Sequence, residues 1–213
     1  MSSQKKLISF LKKNSIDASF TERLKIVYRP LVCPLVKLLE YIKEDDVVAD
    51  VGCGSGQFCL LVSEFSAAKE IYGIEVSERL VHNAYKLFKS RKSYRYLFEV
   101  YDGMDFPDEI SKADVVFLTD VLHHIPLHKR SQFVKSLYAK MKEGARIVVK
   151  DIDGASIFVI FNKIHDLLFS HEVVHEYTFC EALDLFEKHN FQILSKSKIR
   201  MYVYPHFTIY AKK

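Results

Sequence analysis

The chain has 213 residues, 49% of them apolar and 27% charged, the balance of a globular domain with a full-sized core. That balance excludes a disordered chain, a fibrous repeat and a disulfide-stapled mini-protein. Lys and Arg (31) outnumber Asp and Glu (27) by a formal +4, a surplus too scattered for the basic stripe that nucleic acid requires. The four cysteines, Cys33, Cys53, Cys59 and Cys180, form no CxxC pair and read as thiols of a reducing compartment. Met1 to Lys13 lacks the apolar core and cleavage site of a secretory signal. The most apolar stretch, Ile157 to Phe169, is too short and too polar to span a bilayer. A soluble, cytoplasmic protein is expected.

Lys5 to Lys13 sets apolar residues at helical spacing between lysines, and Pro30 and Pro34 bracket the start of a second helix, Leu31 to Ile42. Val47 to Val51 is a predicted strand that runs into glycines, with a helix from Gln57 to Phe65 behind it. Glu70 to Glu75 is the second strand, followed by a helix from Glu78 to Ser90. Tyr96 to Tyr101 and Ala113 to Thr119 are the third and fourth strands. A helix from Lys129 to Met141 stops at Gly144, and Ala145 to Lys150 is the fifth strand. A helical insertion, Ile157 to Phe169, and a helix from Cys180 to His189 come next. Phe191 to Arg200 and Tyr202 to Ala211 close the chain as an antiparallel pair. Strands alternating with helices mean an α/β fold with a mostly parallel open sheet and helices on both faces; near-continuous apolar strands fit burial on both sides.

Ligands of such sheets sit beyond the carboxyl ends of the strands, next to the first one. The first strand ends in Asp50-Val51-Gly52-Cys53-Gly54-Ser55-Gly56. A dinucleotide fold wants G-x-G-x-x-G, so that a pyrophosphate can rest on the helix N-terminus. Here the pattern is G-x-G-x-G, and Gln57 stands at the third dinucleotide glycine. Asp50 would repel a pyrophosphate and suit a cationic ligand. Glu75 ends the second strand, where a carboxylate can accept from both hydroxyls of a ribose. The alternative is a structural turn with a surface acid.

Asp50 to Gly56, Gly73-Ile74-Glu75, Tyr101-Asp102-Gly103 and Thr119-Asp120-Val121-Leu122-His123-His124-Ile125-Pro126 follow one another in that order. Together they resemble the successive motifs of class I S-adenosylmethionine-dependent methyltransferases, a likeness that covers Val47 to Asp151. The resemblance implies a Rossmann-like sheet of seven strands whose last strand is antiparallel and inserted between two others. It implies S-adenosyl-L-methionine as cofactor, with Gly52, Gly54 and Gly56 shaping the loop around the methionine part and Cys53 a small residue within it. It implies Asp50 at the amino end, Glu75 on the ribose and Val76 against the adenine. Asp102 would accept from the adenine amino group, and the Gly103 or Met104 amide would face the ring. Thr119 and Asp120 would lie beside the methionine moiety, and His123 near the adenine or the reaction chamber. On this reading residues 1–213 form one domain: a helical lid or cap (1–44), the cofactor core (45–151), a substrate-side helical insertion (152–178) and a closing helix with a strand pair (179–213).

Methyl transfer to oxygen or acidic carbon also needs a proton removed, for which histidine is the usual agent near neutral pH. His124, His165, His175 and Tyr177 are the candidate bases or substrate contacts. The histidines lack metal-ligand spacing with acids or cysteines, so no metal is expected. Phe158, Phe161, Leu167, Leu168 and Phe169 could wall an apolar acceptor, or form the packed face of a lid helix. No D/N-P-P-Y/F/W sequence follows the fourth strand, and the aromatics are not interleaved with a basic stripe. These features favour small-molecule chemistry over nucleic acid. His165-Asp166, with Tyr28-Arg29-Pro30 and Cys33-Pro34, resembles methyltransferases found near aromatic-polyene and lipid biosynthesis genes, which implies a small, largely apolar or aromatic acceptor, lipid- and carrier-linked forms included. The basic front helix allows weak peripheral membrane contact without insertion. A catalytically inactive cofactor-binding partner or sensor is the competing reading; a nicotinamide-dependent oxidoreductase is disfavoured by the missing third glycine.

Overall fold

The computed structural model describes residues 3–14, 20–91, 94–155 and 177–213. The chain divides into two compact units, Met1–Gly103 and Met104–Lys213. The first opens with α1 (Ser3–Asn14), α2 (Phe20–Val32) and the short α3 (Leu35–Leu39). Leu7 and Leu11, one helical turn apart, are buried while Lys5, Lys6, Lys12 and Lys13 stay exposed, as the lysine-flanked pattern requires. The Gln4 side-chain amide ties α1 to α2 by donating to the Pro30 carbonyl at 2.6 Å.

Pro30 is where sequence and structure part. It does not start a helix but lies inside the last turn of α2. The predicted Leu31 to Ile42 helix is instead two pieces, broken at Pro34, which has non-helical ψ at the head of α3. The cause is local: a proline ring disfavours helical backbone in the residue before it, here Cys33. Within α2, Pro30 has no N–H to offer the Ile26 carbonyl four residues back. The side-chain amide of Gln57 donates to that carbonyl instead, at 2.5 Å.

Three parallel strands follow, β1 (Val47–Val51), β2 (Glu70–Glu75) and β3 (Arg95–Val100), with β2 paired to both of the others. α4 (Gln57–Phe65) and α5 (Glu78–Phe88) connect them. β1 and β2 are buried on both faces apart from their first residues, the signature of strands covered on two sides. α5 buries Val81, Ala84 and Phe88, and the Phe88 ring meets Phe98 of β3 edge-on at 4.9 Å.

The second unit holds β4 (Val115–Thr119), β5 (Arg146–Ile152), β6 (Gln192–Met201) and β7 (Tyr204–Lys212) in the order β4-β5-β7-β6. β4 and β5 are parallel; β7 is antiparallel to both β5 and β6. α6 (Leu127–Lys140) joins β4 to β5, and α7 (Phe179–Lys188) leads into β6. Thr178 and Glu181 form a reciprocal capping box at the start of α7, satisfying two backbone donors that a helix end otherwise leaves open. The fold is the expected Rossmann-like α/β class, with seven strands parallel except for an inserted β7. The predicted insertion at Ile157 to Phe169 lies outside the described residues.

Candidate active site

In the first unit, β1 runs into a loop that folds over the end of β2: the N–H groups of Gly52 and Cys53 both donate to the Ile74 carbonyl, at 2.8 and 3.0 Å. Glu75, the last residue of β2, then draws three backbone donors onto one carboxylate. Its Oε2 accepts from the Gly54 N–H at 2.9 Å, and its Oε1 from Val76 and Ser77 at 2.9 and 3.2 Å. An ionised carboxylate offers about four acceptor sites, so capacity remains for a hydroxyl donor.

The loop glycines differ in purpose. A Cβ at Gly54 (φ +55°) would meet none of the described residues within 4 Å, whereas one at Gly56 (φ +75°) would sit 2.9 Å from the Ala84 Cβ. Gly56 thus lets α4 start hard against α5, while Gly54 borders open space. Cys53 is buried, its Sγ where a Cβ on Gly73 would come within 2.9 Å. Its thiol pKa is pushed well up by burial, then by Asp50 and Glu75.

Asp50 lies on β1, 2% exposed, and accepts from the Cys59 thiol at 3.4 Å. Burial pushes its carboxyl from the ordinary 3.8 up to about 7; the Cys59 thiol and the Arg29 charge pull down, and Glu75 adds to the rise. A cation placed beside it would favour the ionised form. Val76 is 58% exposed despite being apolar. Gly103, with φ +90°, approaches it so closely that a Cβ there would stand 3.4 Å from Val76 Cγ1; Asp102 beside it is exposed. Burial, then Glu75 and Asp102, raises the Tyr101 phenol above its usual range. Open space beside Gly54, an exposed apolar side chain at Val76 and a buried acid without a full counter-charge fit an adenosyl sulfonium.

In the second unit, the parallel register pairs Thr119 with Lys150 and so brings the ends of β4 and β5 together. Thr119 Oγ1 is buried and makes no hydrogen bond among the described residues. Asp120, at φ +60°, donates its N–H to the Lys150 carbonyl, and its carboxylate holds the Lys150 ammonium at 2.5 Å. Lys150 is 1% exposed, so this is an ion pair with one partner fully enclosed. His123 sits in the 3₁₀ turn Leu122–His124, its Nδ1 at 2.5 Å from Asp151 Oδ1. The His124 ring lies 4.1 Å from it, centroid to centroid, and is exposed. The Arg130 guanidinium covers the Tyr177 ring at 4.2 Å. Burial raises the Tyr177 phenol, with Arg130 opposing. Met104 is the first residue of this unit and half-buried.

The structure thus gathers Gly54, Val76 and Ser77 about the Glu75 carboxylate, with Gly52 and Cys53 bound to the neighbouring Ile74 carbonyl, and groups Thr119, Asp120 and His123 at the ends of β4 and β5. His165 and His175 lie outside the described residues. The sequence analysis missed Lys150 and Asp151 as partners; the signal was the run Lys150-Asp151 closing a buried strand, where charge has no place without a partner. Among the described residues no group of three His, Cys, Asp or Glu could hold a metal, and no helix is long and apolar enough to cross a membrane.

Residues 25–196 match the family model described as a methyltransferase domain. The chain belongs to this family. S-adenosylmethionine is its cofactor, and the motifs at Asp50, Glu75, Asp102 and Thr119 fall inside the matched span. The methyltransferase domain is 27% identical over 111 residues to 27-O-demethylrifamycin SV methyltransferase of Amycolatopsis mediterranei (strain S699), covering 52% of this chain and 40% of that protein. It is 34% identical over 104 residues to the chloroplastic tocopherol O-methyltransferase of Arabidopsis thaliana, covering 48% and 29%. The chain therefore spans less than half the length of these curated relatives. In fold it is similar to magnesium protoporphyrin IX methyltransferase from Synechocystis PCC 6803 with bound SAH, at TM-score 0.71 and 18% identity, covering 96% of this chain and 94% of that one.

Proposed function

We propose that this domain transfers the methyl group of S-adenosylmethionine to oxygen or carbon of a small, largely apolar or aromatic acceptor, lipid- and carrier-linked forms included. The observation that carries the reading is the Glu75 carboxylate bridging the Gly54 amide and the turn before α5, beside the open space at Gly54. Two relatives with O-methylation in their names support oxygen as the accepting atom. The four thiols, three of them buried, fit a reducing, cytoplasmic location.

When bound, the cofactor supplies an electrophilic methyl carbon on a positively charged sulfur. The chain's own residues hold and orient. Glu75 takes the ribose hydroxyls on its remaining acceptor capacity, and Val76 offers an apolar surface to the adenine. Asp102 accepts from the adenine amino group, with the Gly103 or Met104 amide facing the ring. Main chain at Gly52, Cys53 and Gly54 lines the methionine part, while Gly56 keeps α4 close enough to shape that loop. Asp50 meets the amino end and is ionised by it. Thr119 contributes a buried hydroxyl without a partner among the described residues; Asp120, paired with Lys150, fixes the turn that presents it. Alignment of acceptor and methyl carbon can supply roughly 7–11 kcal/mol of the barrier.

Calorimetry with S-adenosylmethionine and S-adenosylhomocysteine tests the binding half, and methyl transfer from the labelled cofactor to a panel of phenols and hydroxylated lipids tests the rest. Failure to bind either nucleoside removes the whole reading. Binding without transfer to any acceptor leaves an inactive partner or sensor.

A further inference from the structure

We propose that α1 and the exposed face of α2 dock on an anionic lipid bilayer; docking needs no methyl transfer and stands apart from the proposed reaction. The charge of the chain is uneven. Residues 1–32 hold seven Lys and Arg against two Asp and Glu, whereas the rest of the chain holds 24 against 25. The whole formal surplus therefore belongs to the segment of the first two helices.

α1 concentrates that charge on one side. By helical geometry Lys5, Lys6, Lys12 and Lys13 fall within an arc of roughly 120°, opposite the buried Leu7 and Leu11. All four lysines are exposed, and none forms an ion pair among the described residues. Helix formation accounts for only two of them. Lys12 and Lys13 stand in the last turn, where a cation suits the helix dipole. Lys5 and Lys6 stand near the opposite end, where a cation opposes it, and α1 contains no acid to offset them. Their charge is turned outward, toward a surface of fixed negative charge.

Apolar surface borders the lysines. Leu24 and Tyr28, one turn apart on α2, are 51% and 45% exposed. The Lys12 ammonium stands 5.9 Å from the centre of the Tyr28 ring, and Arg23 beside Leu24 is exposed. Lysines next to an exposed leucine and tyrosine match the interfacial layer of a bilayer. There ammonium groups reach lipid phosphates, and a tyrosine ring lies at headgroup level with its hydroxyl in water. An acidic polypeptide would use the lysines and leave Leu24 without a role. Ammonium groups are point charges without the fork geometry that selects one phosphate, so the face reads the density of negative lipid. Leu7 and Leu11 already point inward, leaving α1 no apolar stripe to insert; the contact is peripheral and salt-sensitive. The buried Ile26 of the same α2 accepts from Gln57 at the head of α4, which ties the docking helix to the segment after Gly56.

The test mixes the full chain with vesicles of phosphatidylcholine alone, or of equal parts phosphatidylcholine and phosphatidylserine, and reads binding by co-sedimentation. The chain should bind the anionic vesicles about tenfold or more tightly than the neutral ones. Most of that binding should be lost between about 0.05 and 0.5 M salt. Lys6→Gln combined with Lys13→Gln should weaken it by roughly 25-fold, at about fivefold for each ammonium removed. Leu24→Gln should weaken it by about threefold or more. Melting temperatures should match the wild type, because the replaced side chains are exposed. Equal binding to both kinds of vesicle, or a double lysine variant that binds as the wild type does, overturns the proposal. Soluble polyglutamate bound as tightly as the vesicles, with Leu24→Gln without effect, assigns the face to an acidic polypeptide and overturns the lipid.

Discussion

The Gln57 side-chain amide stands 2.5 Å from the Ile26 carbonyl and supplies the hydrogen bond that Pro30, four residues further on, has no N–H to make. A residue at the head of α4, directly behind the glycine loop, thereby completes a helix near the start of the chain. Gln57 and Ile26 are 6% and 7% exposed, so water does not readily replace this bond. Gln57→Ala should leave the carbonyl unsatisfied and cost about 1–3 kcal/mol, read as a lower urea midpoint with unchanged slope. A midpoint equal to that of the wild type would show that α2 closes without Gln57.

Glu75 joins two backbone segments and, in the proposed function, the ribose. Glu75→Ala should weaken S-adenosylhomocysteine binding by about 1–3 kcal/mol through lost charged hydrogen bonds, measured by calorimetry. Unchanged affinity would take Glu75 out of the site.

Asp50 makes stability depend on pH in a definite sense. Its carboxyl titrates at about 7 in the folded chain against an ordinary 3.8. Between those values the native state holds more protons than the unfolded one, so stability falls as pH rises through that window. The slope is at most about 1.4 kcal/mol per pH unit; the contribution is whole below pH 4 and lost above about 7. Asp50→Asn should flatten this dependence in melts at pH 5 and pH 8 while weakening nucleoside binding. Parallel pH slopes for variant and wild type would contradict the buried, protonated acid.

The two loop glycines should separate stability from affinity. Gly56→Ala drives a methyl to 2.9 Å from the Ala84 Cβ and 3.2 Å from its Cα, so its melting temperature should fall the more. Gly54→Ala adds a methyl into open space at a strain of roughly 1–2 kcal/mol, and should lose proportionally more nucleoside affinity. The reverse ranking would exchange their roles.

The Asp120 carboxylate pairs with the enclosed Lys150 ammonium. Asp120→Asn tolerates the positive φ as aspartate does and isolates the loss of charge. Removing this charge from a buried pair should destabilise the chain in chemical denaturation, by up to about 3–5 kcal/mol. A loss below 1 kcal/mol would mean that Lys150 finds another acceptor.

Much of this was legible in the sequence. The apolar runs at Val47 to Val51 and Glu70 to Glu75 gave strands with the observed bounds because burial on both faces leaves no competing pattern. The motif order pointed to the family because each piece ends a strand, where chain order maps directly onto ligand contacts. Pro30 misled because its missing donor is compensated from Gln57, a residue that no local rule connects to it. The His123–Asp151 pair was not legible either: 28 residues separate the partners, and only the register of β4 against β5 brings them to one rim.

The run beyond β5 starts and finishes at a closed neck. Gly154 donates to the Tyr177 carbonyl at 2.8 Å, and Asp153 Oδ1 accepts from both Ala155 and Phe179. Lys198 of β6 anchors that aspartate at 2.7 Å. One carboxylate that accepts two backbone donors and faces one ammonium thus fastens both Ala155 and Phe179 to the end of β5, so Asp153→Ala would release two chain segments at a single stroke.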